Sequence, residues 1–272
     1  MHTKKHMRNL ALPALLLLAP LLASCATSAP VDDAASTAAP PADGEVHWSY
    51  HGEEGPDEWG HLAKDFAACE AGDAQSPIDL PDHADEKLAE HPRIASSPTV
   101  AESVDTGHTI QLVPDDDASE VEWKGDEFDL AQVHFHVLSE HTVEGRAMDA
   151  EFHFVHSTDD GQVLVLGVLA QEGDTRNEAW QPFIDGAAEP GADDLPLDVA
   201  AMLPADPTFE EYAGSLTTPP CTEGVEWVVY HEPVELSAEQ LAVLEKAYDD
   251  NARPTQPRGD RVAHEGTVTL AD

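Results

Sequence analysis

Positive charge is what this chain most lacks. Thirteen Lys and Arg residues stand against 54 Asp and Glu, a net charge of −41 over 272 residues. Such a surface repels phosphate, which excludes nucleic acid as a partner. Long apolar runs are missing too: the run at residues 10–22 is too short for a comfortable transmembrane helix. It follows Lys4, Lys5 and Arg8 and ends in Leu22-Ala23-Ser24-Cys25, so residues 1–24 read as an export signal. Cys25, placed after small residues, resembles the cysteine of a bacterial lipobox, which would become the acylated first residue of the mature chain. An ordinary signal peptide with an incidental cysteine is the alternative. Acylation would make an N-terminal lipid anchor the only membrane link of an exported protein held at the cell envelope, in the periplasm or at the cell surface. Cysteine is also scarce. With Cys25 lipidated, only Cys69 and Cys221 remain. An exported protein most simply pairs them, and two buried free thiols are the other arrangement. A bridge of that span would contribute roughly 5 kcal/mol on chain entropy alone.

Core-forming residues are sparse from Ala26 to about Gly44, where Ala, Ser, Thr, Pro and Asp dominate. Residues 25–44 therefore read as a flexible tether, and residues 45–272 as a single folded domain. Removing the signal leaves 10 basic and 54 acidic residues, a charge of −44. Clusters such as Glu53-Glu54 and Asp115-Asp116-Asp117 read as solvated surface rather than calcium sites. Concentrated salt shortens the range of charge repulsion, so an acidic, halophilic source is expected.

The pattern is mainly β. Residues 163–169 form a leucine-rich, β-branched run suited to a buried strand, and residues 227–230 form another. Residues 108–113 alternate polar and apolar as a strand does, and residues 142–147 read as a strand turning at Glu144-Gly145. One helix is clear, with Ser237 as N-cap, Gln240 three residues on, and an end near Tyr248. The Pro- and Gly-rich stretch 185–206 reads as a long connection.

The chemistry concentrates in Gln132-Val133-His134-Phe135-His136 and Glu151-Phe152-His153. In a strand, His134 and His136 share one face, and a second strand can bring His153 beside them. Three imidazoles with no fourth protein ligand describe a catalytic zinc site with one open position. Gln132 and Glu151 each lie two residues before a ligand, on its face, where they can hold the far ring nitrogen. Val155 continues that face toward the pocket. His156 points away and reads as a core histidine.

These runs, with Ser139-Glu140-His141-Thr142-Val143 and Gly214-Ser215-Leu216-Thr217-Thr218-Pro219-Pro220-Cys221, resemble the α-class carbonic anhydrases in their bacterial form. Trp48-Ser49-Tyr50, Gly55-Pro56, Trp59, Gln75-Ser76-Pro77-Ile78-Asp79, Asn251, Arg253-Pro254 and Gln256-Pro257 extend the likeness over most of the chain after the tether. The resemblance implies an α+β, mainly β domain around a central twisted, mostly antiparallel sheet, with zinc at the base of a cone-shaped cleft. It implies reversible hydration of carbon dioxide to bicarbonate by zinc-hydroxide attack, the bound water ionising near neutrality as it does in carbonic anhydrases themselves. His134, His136 and His153 would be the zinc ligands. Thr217 would accept from the hydroxide and donate to Glu140. Thr218 would place bicarbonate, and Val155, Val165, Leu216, Val225 and Trp227 would wall the carbon dioxide pocket. His108 would shuttle protons, with Tyr50 and Gln111 shaping the water beside it. A relay has a physical reason, since an acid of pKa near 7 sheds protons to water at only roughly 10³ per second. Cys69 and Cys221 match the bacterial family's disulfide, which would brace the threonine loop. Thr106 replaces a usual asparagine and Val133 a usual phenylalanine. The small-molecule substrate is the partner implied, and the reading leaves room for a homodimer. A noncatalytic zinc-binding or adhesion module on the same scaffold would typically have lost a ligand histidine, and this chain keeps all three. A zinc esterase would want an acyl-recognition feature, and none is visible.

The charge generates one expectation. Thermal melting over a series of salt concentrations should show stability rising with salt, and a flat series would refute the halophilic reading.

Overall fold

The computed structural model describes residues 46–81, 84–116 and 118–271. The export signal, Cys25 and the tether lie outside the described residues. Seven strands position the site: β1 Thr99–Asp105, β2 Ile110–Pro114, β3 Asp126–His136, β4 Ala150–Ser157, β5 Val163–Gly173, β6 Thr208–Ser215 and β7 Glu223–Tyr230. They lie side by side in the order β1-β2-β3-β4-β5-β7-β6 within one large sheet. Neighbours are antiparallel except β5 and β7, which run parallel. Short strands extend both edges, and a small separate sheet joins Asp79–Leu80 to a hairpin made of Thr142–Val143 and Arg146–Ala147.

The leucine-rich run forms the middle of β5, where Leu164 to Ala170 are buried without interruption. A strand covered on both faces needs no polar alternation. The hairpin turns where expected, with Glu144 and Gly145 both at positive φ (51° and 74°), as a two-residue turn matching strand twist requires. Helix Ala238–Ala247 carries the full capping box between Ser237 and Gln240.

Two expectations need correction. The strand assigned to residues 108–113 starts at Ile110. Thr106 takes over the preceding turn: its Oγ1 accepts from the backbone N–H of His108 and Thr109 and donates to Thr109 O. That local alternative to the ladder leaves His108 on a bend. The connection assigned to 185–206 also carries structure, namely the end of helix Gln181–Ala188, strand Leu195–Leu197 and helix Val199–Met202. Trp180, Phe183, Ile184 and Ala187 are buried at helical spacing, and this stripe outweighs the Pro and Gly signals around it.

The sheet separates two apolar clusters. The larger holds Phe135, Phe152, Phe154, Trp180 and Phe183, with Val133 fully buried among them. The smaller lies on the face that carries the histidines and holds Ile78, Leu80, Val165, Leu169, Tyr212, Val225, Trp227 and Val229. Glu53, Glu54, Asp115 and Asp116 are exposed.

His156 faces the larger core and is fully buried, with Nδ1 3.0 Å from Phe154 O and Nε2 3.4 Å from Ser119 Oγ. Burial lowers its pKa from 6.5 to about 4. Between those values the unfolded chain binds a proton that the folded site refuses. Stability therefore falls as pH drops from 6.5 to 4, by up to about 3 kcal/mol, and nothing is lost above 6.5. Urea unfolding across this window should show a slope to which the buried histidines His134, His136 and His153 also contribute, and His156→Gln should reduce it by the share of His156. An equal slope in the variant would refute the assignment.

Candidate active site

Strands β3 and β4 pair with His134 opposite His153, and His136 follows two residues along β3 on the same face. The three rings converge. His134 Nε2 lies 3.1 Å from His136 Nε2 and 3.3 Å from His153 Nδ1. Each ring's other nitrogen meets an oxygen. His134 Nδ1 donates to Gln132 Oε1 at 2.9 Å, His136 Nδ1 to Asn251 O at 2.8 Å, and His153 Nε2 to Glu151 Oε1 at 2.9 Å. Those acceptors hold the ring protons on the far side. The facing nitrogens then all present lone pairs, which repel at this range unless a cation lies among them. Glu140 Oε2 reinforces the demand. It is buried without a hydrogen-bond partner among the described residues, 3.5 Å from His136 Nε2 and 4.0 Å from His153 Nδ1. Three neutral nitrogens facing one point fit a borderline divalent cation with a position left for solvent.

Burial holds the trio in that neutral form. It lowers His134 well below the usual histidine range, His136 to about 4, and His153 as well. Burial also pulls the Glu151 carboxyl upward, but His141 and His153 outweigh it and keep the group well below the usual carboxylate range. Glu140 is pushed by burial to about 7, against the opposing effects of His153, the Arg253 backbone N–H and the Thr217 side chain. Thr217 thus bears on this carboxylate, although Oε2 makes no hydrogen bond of ordinary geometry. Gly167, opposite His153 in β5, leaves room for Glu151, because a Cβ there would sit 3.2 Å from Glu151 Oε1.

The threonine loop joins β6 to β7. Leu216 N–H donates to Thr222 O and Cys221 N–H to Thr218 O, and the disulfide Cys69–Cys221 ties the loop to an N-terminal helix. Arg253 completes the brace. Its backbone N–H donates to Glu140 Oε1, while its buried guanidinium donates to Gln75 Oε1, Ser76 O and Cys69 O at 2.7–2.9 Å. Val165, Val225 and Trp227 form an apolar wall, with Val155 and Leu216 packed against it. The Trp227 ring lies 4.8 Å from that of His153. Thr218 is half-buried beside Thr217 on the loop.

The His108 ring stacks on that of Trp48, with centroids 3.6 Å apart. Gln111 pairs with His134 across β2 and β3. The Tyr50 hydroxyl is buried without a hydrogen-bond partner among the described residues, its pKa raised by burial and by Glu140.

Three contributors had no role assigned from sequence. Asn251 accepts from His136 through its backbone oxygen and from Val137 N–H through Oδ1, and its Nδ2 donates to His108 O and Phe135 O. His141 lies 2.7 Å from Glu151 through both its Nδ1 and its backbone nitrogen. The Tyr212 hydroxyl is 2.7 Å from His141 Nε2 and 2.8 Å from Ser76 Oγ. Strand parity finds Gln132 and Glu151, but Asn251 lies 115 residues from His136 and no local pattern links them.

Residues 54–265 match the family model described as eukaryotic-type carbonic anhydrase. A carbonic anhydrase of Nostoc sp. is 37% identical over 235 residues, which cover 81% of this chain and 86% of that protein. One from Neisseria gonorrhoeae is 34% identical over 226 residues, covering 81% and 88%. Among solved structures, an α-carbonic anhydrase from Thermovibrio ammonificans, in complex with the inhibitor sulfanilamide, superposes with a TM-score of 0.76 at 38% identity, covering 81% of this chain and all of that one.

The brace at Arg253 generates a test. Replacing it by Met leaves three buried acceptors unpaired and should cost about 3–5 kcal/mol in urea unfolding. Arg253→Lys should recover only part of this, because an ammonium lacks the planar fork. Full recovery by lysine would show that charge alone suffices.

Proposed function

The chain belongs to the eukaryotic-type, or α-class, carbonic anhydrases and is an enzyme of carbon dioxide hydration; on that premise we propose that it works as a zinc enzyme with a histidine proton relay. The observation that carries this reading is the convergence of His134 Nε2, His136 Nε2 and His153 Nδ1 with their protons held on the far nitrogens. These atoms would hold zinc, which when bound brings the acidity of a water at its open position into the neutral range, as in carbonic anhydrases generally.

The chain's own residues do the rest. Gln132, Asn251 and Glu151 orient the three ligands. Thr217, donating toward Glu140, keeps only lone pairs for the nucleophilic water and so fixes its orientation. The wall of Val155, Val165, Leu216, Val225 and Trp227 accepts an apolar substrate with little polar readout, and Thr218 places bicarbonate. His108, half-buried and stacked on Trp48, takes protons outward, with Tyr50 and Gln111 shaping the intervening water. The same reading puts the domain at residues 45–272 outside the cytoplasm, anchored through an acylated Cys25 and a tether.

Two measurements test it. Zinc should be stoichiometric in the purified protein, and its removal by chelator should abolish carbon dioxide hydration in stopped flow, with zinc restoring it. Absence of zinc, or activity indifferent to chelation, would overturn the metal assignment. His108→Ala should lower turnover in weak buffer by at least about tenfold, with rescue by added imidazole. An unchanged rate would reject the relay.

A further inference from the structure

A second polar pocket lies on the histidine-bearing face of the sheet. One cross-strand row runs His134, His153, Gly167, Val229, Glu210. Glu210, on β6, stands three strand spacings from His153, about 14 Å away, and takes no part in the site above. It is fully buried. Among the described residues, neither of its carboxylate oxygens has a hydrogen-bond partner. His231 Nε2 approaches Oε1 to 3.4 Å, an ion-pair contact that lacks hydrogen-bond geometry among the described residues. Glu210, His231 and Tyr230 line a cavity of about 220 Å³ together with Leu80, Pro81 and Val143, the Tyr230 side chain itself belonging to the larger cluster on the opposite face.

A carboxylate withdrawn from water costs several kcal/mol unless it is paired, and the His231 contact at 3.4 Å answers Glu210 only while that imidazole is protonated. We propose that this cavity binds a small primary alkylammonium ion. Its N–H groups would donate to the Glu210 carboxylate, and its hydrocarbon part would lie against Leu80, Pro81 and Val143. The chemistry favours this over a divalent metal. One carboxylate and one imidazole would leave most coordination positions to waters, and the apolar walls offer those waters no acceptors. The His231 imidazolium is the natural competitor for the carboxylate. Glu210, helped by Glu265 and Asp206 and opposed by partial burial, holds His231 above the usual histidine range.

The test is an NMR titration of the zinc-loaded full chain with butylammonium chloride at a pH of about 9. That is above the ordinary histidine range and below that of an alkylammonium. Potassium chloride at equal ionic strength is the control. Saturable binding is expected with butylammonium and not with potassium. Glu210→Gln should weaken it at least about tenfold, and so should Val143→Phe, which fills the cavity from a partly exposed position. Both variants should keep carbon dioxide hydration. A lack of saturable binding, wild-type affinity in either folded variant, or displacement of butylammonium by an added equivalent of zinc would each overturn the proposal.

Discussion

Three lone pairs pointed at one another are the constraint from which the site follows. Left alone they repel, and the protein holds them 3.1–3.3 Å apart by fixing each imidazole from behind. Two of the fixing groups, Gln132 and Glu151, come from the ligand strands themselves, so the register of β3 against β4 sets ligands and supports together. The third, Asn251 O, arrives from a distant part of the chain. A one-residue slip of β4 would move His153 and Glu151 to the opposite face at once, which couples the fold to the chemistry.

Around this centre the chain places its few buried charges where each is answered. Glu151 is satisfied by His141 and His153. Arg253 feeds four acceptors, one of them Glu140 Oε1. The exception within the centre is Glu140 Oε2, which faces the trio. Glu210 is a comparable exception elsewhere on the same sheet face. Buried polar groups left under-paired among protein atoms are expensive, and the zinc and alkylammonium readings proposed above both start from that cost.

The acidity belongs to a different layer. Glu53, Glu54, Asp115 and Asp116 lie in solvent, while the core behind β3 to β5 is aromatic and aliphatic. Charge of one sign can accumulate on the outside without touching the packing that positions the histidines.

By itself the sequence determined whatever depends on local spacing. Strand parity put His134 and His136 on one face with Gln132 beside them, and Glu151 with His153. The capping box set the start of the helix after Ser237, and Glu144-Gly145 set the hairpin turn. These are short-range rules of backbone geometry, so a linear reading reaches them. Only the tertiary structure decided what depends on long-range closure. Asn251 became the hinge between His136 and His108, Arg253 came to bridge Cys69 and Glu140, and the stripe from Trp180 to Ala187 folded as helix despite its Pro and Gly surroundings. His108 was drawn onto Trp48 because Thr106 turned the chain away from the sheet. Those outcomes rest on contacts between segments far apart in sequence, whose energies no local pattern encodes.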